Sequence, residues 1–422
     1  MTSAKESVAS HCGRPVERVY PMREDVPAHI PPELVFHYDV FQPAPPGTDI
    51  FEELFKLKRR APAIFWTPYN GGHWYTPDGL LARQVLADNV HFSSQMLMLP
   101  AENNPPKGQG FTPIHLDPPE HGMYRRLLQM ALSRRTVVDM MPHMRKFTID
   151  LIERLKPQGR CDFIADVAYA LPTQVFMYLV DLPPKYQDGL TWRVAALHDV
   201  ASDKAQLFAE IGELLKPFVE ERIAQPGDDV LSWLSTQEIE GAPVTEERLH
   251  SMTTLLLIAG LGTIADTFGC IFRHLADHPE HRRFIHEYPG KMNGVVEELL
   301  RRYPVILAGT VRLCAEDVEI GGAVVKAGEL MLAAPPMMNF DEQIYEDPLA
   351  IDFDRAITAN GSFGHGPHRC AGAALSRVLL STLIEEWLER IPEFQVSPTE
   401  TDEPEAAVNI FHEKLIFEWP TA

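Results

Sequence analysis

The residues Phe363–Gly372, FGHGPHRCAG, put one cysteine in a glycine-punctuated turn that runs into a helical segment. Gly364 and Gly366 let the backbone fold tightly and aim N–H groups at a sulfur. The helix start beyond Cys370 presents its positive end, which favours an anion. A cysteine held this way is expected to be a thiolate. A thiolate with N–H donors aimed at it is the electron-donating axial ligand that a haem iron takes. Singly, a lone cysteine is a small buried hydrophobe and a glycine-rich stretch is a turn. The whole order Phe-Gly-x-Gly-x-His-x-Cys-x-Gly is far more specific than either.

The elements that must hold this loop are those of a large helical protein. At 422 residues the chain can bury a sizeable core. A proline-rich stretch within residues 1–50 reads as an extended N-terminal wrap. Residues 100–114 form a long loop, and loops of that length inside compact domains often carry function. From about residue 117 helical periodicity dominates, with polar breaks near 156–160, 225–229 and 239–244. A short β-rich stretch covers about 310–334.

The segment 246–277 is predicted to be one helix, capped by Thr245 and ended by His278-Pro279. It would span about 48 Å at 1.5 Å per residue. Its middle, LLLIAGLGT, is apolar on all sides, as in a core helix. Gly260 and Gly262 each cost about 1 kcal/mol against alanine there, so this helix is expected to need space beside it.

Composition excludes several classes. The net charge of −21 disfavours nucleic acid and anionic membrane as partners. The five cysteines form no CxxC pair, which argues against a disulfide framework or structural zinc. The longest apolar run, Met252–Gly262, is too short to span a bilayer, and no charged-then-apolar leader opens the sequence, so a cytoplasmic protein is expected.

The loop around Cys370 resembles the haem-ligand loop of the cytochromes P450. The resemblance implies a mainly α fold with a small β region, a single domain over residues 1–422, and haem b bound through Cys370, with Phe363, Gly364 and Gly372 shaping the loop. Other stretches are similar to that family too. Glu298-Leu-Leu-Arg301 matches its Glu-x-x-Arg, and Arg355 in IDFDR stands where a third member completes an ion triad. Residues i and i+3 share a helix face. His121 and Arg125 in DPPEHGMYRR, Arg312 in TVRLCAED, and His368 stand at positions implying contact with the haem propionates. Carboxylates at a buried cofactor edge need charge-assisted donors.

Thr263 matches the threonine whose hydroxyl helps deliver protons to dioxygen, but Gly262 occupies the place of the acid beside it. Asp266, one turn beyond Gly262, is expected to take over that relay, alone or through water; pairing with a neighbouring basic side chain is the alternative.

Within the family the likeness is to the camphor hydroxylase class, from about residue 80 to the C-terminus. Gln109 falls where camphor-binding members place a tyrosine, which speaks against camphor; Leu255 and Ile258 are expected to supply apolar pocket wall. The resemblance therefore implies a monooxygenase that hydroxylates an unactivated C–H bond of a small apolar terpenoid or norisoprenoid. Electrons would come from a 2Fe–2S ferredoxin and its NADH-dependent reductase, docking on Arg125, Arg369 and Arg377. A peroxide-driven peroxygenase and a non-enzymatic thiolate-haem gas-binding protein are the competing readings.

Overall fold

A computed structural model describes residues 22–197, 204–357, 360–401 and 403–421. Residues 1–21 of the expected N-terminal wrap, Cys12 included, lie outside the described residues. From residue 22 the wrap is mostly irregular, with one short 3₁₀ turn at Pro32–Leu34. It is pinned by a bridge from Val35 to Trp66 and by buried Ile30, Tyr38, Val40 and Phe41.

The helices that position the site are α1 (Gly79–Ala87), α2 (Glu120–Ala131), α3 (Arg134–Leu155), α4 (Lys204–Ala224), α5 (Glu246–Asp277), α6 (Met292–Arg302) and α7 (Ala373–Arg390). α7 packs along α3, and α4 lies against α5. Their apolar faces merge into one large core that contains Leu151, Leu257, Phe268, Phe272, Leu383 and Trp387. Burial of such side chains contributes about 1.5–3 kcal/mol each.

The β region is small. Strands β1 (Phe65–Thr67), β2 (His73–Tyr75), β3 (Phe92–Ser93), β4 (Val311–Cys314) and β5 (Leu330–Leu332) form a sheet in the order β1-β2-β5-β4-β3. Only the β2–β5 pair is parallel. β4, β5 and a hairpin of Val318–Ile320 with Ala323–Val325 make up the β-rich stretch expected over about 310–334.

α5 spans the predicted residues. Thr245 Oγ1 accepts from the Arg248 N–H, Glu246 and Glu247 occupy the first turn, and Pro279 opens the next helix. By length and composition α5 would pass as a membrane span, yet most of its apolar stretch lies inside the protein. It behaves as a core helix with one exception. A methyl built on Gly260 meets no atom within 4 Å, so the space expected beside the central glycines is present there.

Candidate active site

The cysteine loop is built by close backbone approach. The Cys370 N–H donates to Phe363 O at 2.8 Å, the Gly364 N–H to Gly361 O at 2.7 Å and the Arg369 N–H to Gly366 O at 3.1 Å. Gly366 has a φ of +71°, and a side chain there would collide with the Leu86 carbonyl at the end of α1. Only glycine lets the loop lie this close to α1. The loop leads into α7 through Gly372, its N-cap.

Cys370 is accessible over its surface, yet burial is the leading cause of a raised thiol pKa. Both hold if the sulfur borders an inward-facing surface walled by protein. The Gly372 N–H and the guanidinium groups of Arg125, Arg369 and Arg377 oppose the rise without overcoming it. Desolvation of the anion outweighs these donors taken alone. A bound metal ion supplies the missing charge and deprotonates a coordinating thiol.

Beside the loop lies a basic cluster. His121, 3% exposed, stacks its ring 4.0 Å from that of His368. Burial first, then Arg312, His121 and Arg125, lower the His368 pKa to about 2. Arg312, 4% exposed, is lowered to about 10 by burial, with Asp117 opposing. Asp117 is itself engaged by Ser93 Oγ at 2.5 Å, the Ser94 N–H at 2.8 Å and Gln95 Nε2 at 3.3 Å. His368 Nε2 and Arg125 Nε are buried and meet no acceptor among the described residues. Donors collected this way fit an anionic ligand edge, such as the two propionates of a haem, because a buried donor without a partner costs about 1–3 kcal/mol. Arg125 also donates through Nη2 to the Arg369 carbonyl, so it braces the cysteine loop.

α5 contributes the second half of the site. Within this core helix Ala259 is exposed, and Leu255, Gly260 and Thr263 are only half-buried. Thr263 Oγ1 donates to the Ala259 carbonyl at 2.8 Å. Ile258 is half-buried and packs on the main core. Asp266 lies elsewhere: it is 3% exposed and its Oδ2 accepts from Asn409 Nδ2 at 2.7 Å. Asp266 Oδ2 thus engages Asn409 while the Thr263 hydroxyl engages the Ala259 carbonyl, so no direct hydrogen bond between the two side chains is seen among the described residues.

Glu298, Arg301 and Arg355 come together as a closed ion triad. Arg301 meets both Glu298 oxygens at 2.7 Å, and Arg355 Nε reaches Oε1 at 3.1 Å. Arg301 also donates to the carbonyls of Pro348 at 2.6 Å and Ala350 at 2.9 Å. The same region ties α6 to the cysteine loop. Ser362 Oγ donates to Leu300 O at 2.6 Å, Asn339 Nδ2 donates to Ser362 Oγ at 2.7 Å, and Asn360 Nδ2 donates to Glu297 O at 3.2 Å.

Gln109 is exposed and lines a cleft of about 270 Å³ between the loop 108–112, α4 and the first turns of α5. The cleft reaches Thr254, about 13 Å along the helix from Thr263. Gln109 is thus an exposed residue of a cleft that borders α5. Thr112 anchors this loop, accepting from Arg248 Nη1 at 2.8 Å and donating its N–H to Ser251 Oγ at 2.8 Å. The expected docking patch is smaller. Arg377 pairs with Glu297 and lies 4.3 Å over the Phe363 ring, and Arg125 turns to the Arg369 carbonyl. Of the three arginines only Arg369 is exposed, and Arg126 is exposed on α2.

Sequence reasoning missed His115, Asn339 and the Arg377–Glu297 pair. No motif marks them, because each depends on distant chain segments meeting.

The cytochrome P450 family model matches residues 292–414. Cytochrome P450 107B1 of Saccharopolyspora erythraea is 31% identical over 301 residues, covering 69% of this chain and 74% of that protein. A probable cytochrome P450 127A1 of Sinorhizobium fredii is 29% identical and covers 88% of this chain and 91% of its own length. The crystal structure of cytochrome P450 CYP101C1 superposes with a TM-score of 0.86 at 32% identity, over 94% of this chain and all of that one. The crystal structure of CYP101J2 gives the same TM-score at 30% identity, over 94% of this chain. With that likeness, and with a cysteine loop and a basic cluster suited to haem b, the chain belongs to the cytochrome P450 family and is a monooxygenase of that family.

Proposed function

We propose that the protein hydroxylates an unactivated C–H bond of a small apolar substrate of the terpenoid or norisoprenoid class. One atom of O₂ enters the product, the other leaves as water, and two electrons and two protons balance the reaction. Haem b, when bound, supplies the oxygen chemistry. Cys370 is the proposed axial ligand. His121, Arg312 and His368 are the proposed holders of the propionates, and Arg125 braces the loop from the same cluster.

The observation that carries this reading is the accessible stripe on α5. Leu255, Ala259 and Gly260 are apolar or lack a side chain, and Thr263 adds a single hydroxyl. Such a wall excludes water and orients a hydrocarbon while leaving one polar handle. Because the Thr263 proton points to Ala259, the side chain offers lone pairs and positions a donor rather than donating itself.

Electrons are proposed to arrive from a 2Fe–2S ferredoxin reduced by an NADH-dependent reductase. Exposed Arg369 and Arg126 offer local positive charge on a chain of net charge −21, which suits an acidic partner. The test is a spin-state titration of the ferric protein against a panel of terpenoids and norisoprenoids, followed by product identification with ferredoxin and O₂. A high-spin shift with a hydroxylated product is expected. A panel that leaves the spectrum low-spin throughout contradicts the substrate class.

A further inference from the structure

His115 shares the basic cluster with His121 and His368 but comes from the loop before α2. Its ring is fixed from several sides. The Phe111 N–H donates to Nδ1 at 3.1 Å, and the His115 N–H returns to Phe111 O at 3.0 Å. Gly110 lies against the imidazole so closely that any side chain there would strike the ring. An imidazole whose Nδ1 accepts a hydrogen bond carries its proton on Nε2 when neutral. That Nε2 is buried and meets no acceptor among the described residues. The ring acts electrostatically on His368, and it lies in the stretch of chain that leads into α2 and His121.

A donor aimed, buried and left without a protein acceptor costs about 1–3 kcal/mol unless a ligand supplies one. His121, His368, Arg125 and Arg312 in the cluster are cationic or donors, and the one carboxylate there, Asp117, is already engaged by Ser93, Ser94 and Gln95, which points to an anionic oxygen from a ligand. We propose that His115 Nε2–H is a further hydrogen-bond donor to a propionate of haem b, acting beside His121, Arg312 and His368. This rests on the haem-thiolate reading above. Burial, which lowers the His115 pKa to about 4, agrees with a neutral donor.

The test is haem transfer from the ferric holoenzyme to excess apomyoglobin, with resonance Raman of the propionate bending modes. His115→Phe removes the donor and keeps the ring volume. It should lose haem about tenfold faster, the worth of one hydrogen bond to a charged group, and shift one propionate mode. His115→Gln, which can still donate, should stay near wild type. Gly110→Ala displaces the ring without removing it and should also accelerate loss, so the proposal stays testable even if His115→Phe fails to fold. Wild-type rates and modes in His115→Phe and Gly110→Ala overturn the assignment. So does weakened substrate binding with haem retention unchanged, which would place the donor in the pocket. The reduced wild-type protein with carbon monoxide separates the two levels. Without a thiolate-type Soret band the haem-thiolate reading itself fails; with that band and unaltered haem loss, only the role of His115 does.

Discussion

Thr263 illustrates how much one hydroxyl's orientation decides. Its proton goes to the Ala259 carbonyl, so what faces the pocket is an acceptor that can hold a water or a protonated oxygen in place. Thr263→Ala should leave NADH consumption largely intact while product per NADH falls on the order of tenfold, less than a full general acid is worth because water substitutes in part. Thr263→Ser should keep most of the coupling, and equal coupling in Thr263→Ala and wild type would contradict this role. Cys370 was legible in the sequence because its loop is a contiguous motif whose spacing carries the chemistry. His115 was not, since a loop histidine reads as a solvated side chain until Gly110 and Phe111 are seen to wrap it. Gln109 was reached by counting back from Asp117, which gives a position along the chain, whereas its exposure at the cleft beside α5 follows from the path of the loop.

Among the elements, α6 and the segment that leads to the cysteine loop are joined through Glu298. Its Oε1 receives Arg301 Nη2 at 2.7 Å, Arg355 Nε at 3.1 Å and the Asp352 N–H at 2.9 Å, with Glu298 and Arg301 fully buried. Removing one charge from a buried pair leaves the other uncompensated, at about 3–5 kcal/mol. Glu298→Gln should therefore lower the unfolding free energy by that amount, read as a lower denaturant midpoint at unchanged slope, and release haem in the same transition, as followed by the Soret band. A change below about 1 kcal/mol would show that the triad is not holding the loop region. The helices and the small β region could be read ahead from periodicity, caps and breakers, as the bounds of α5 show. The side on which each polar residue falls could not. Asp266 and Thr263 sit three residues apart on one helix, yet Asp266 Oδ2 takes a hydrogen bond from Asn409 while Thr263 bonds the Ala259 carbonyl.

For the molecule as a whole, buried histidines set the acid limit. Burial lowers His73 to about 4 and, with His278 and His281 adding to it, His274 to about 2. In the unfolded chain both titrate near 6.5, so below that pH the unfolded state takes up protons that the folded state refuses. The stability they contribute is complete above about pH 6.5 and is lost as pH falls toward 4. Asp162, raised by burial to about 6, works the opposite way over the same window, but it is one group against two. The unfolding free energy should fall between pH 7 and pH 5 by up to about 1.4 kcal/mol per pH unit for each uncompensated histidine, seen as a falling denaturation midpoint. A flat midpoint over that range would contradict the burial. The haem-thiolate assignment itself is tested most directly by carbon monoxide binding to the dithionite-reduced protein, wild type beside Cys370→Ser. The account predicts a long-wavelength Soret band in wild type that is absent from Cys370→Ser. The same band in both proteins, or in neither, would contradict it.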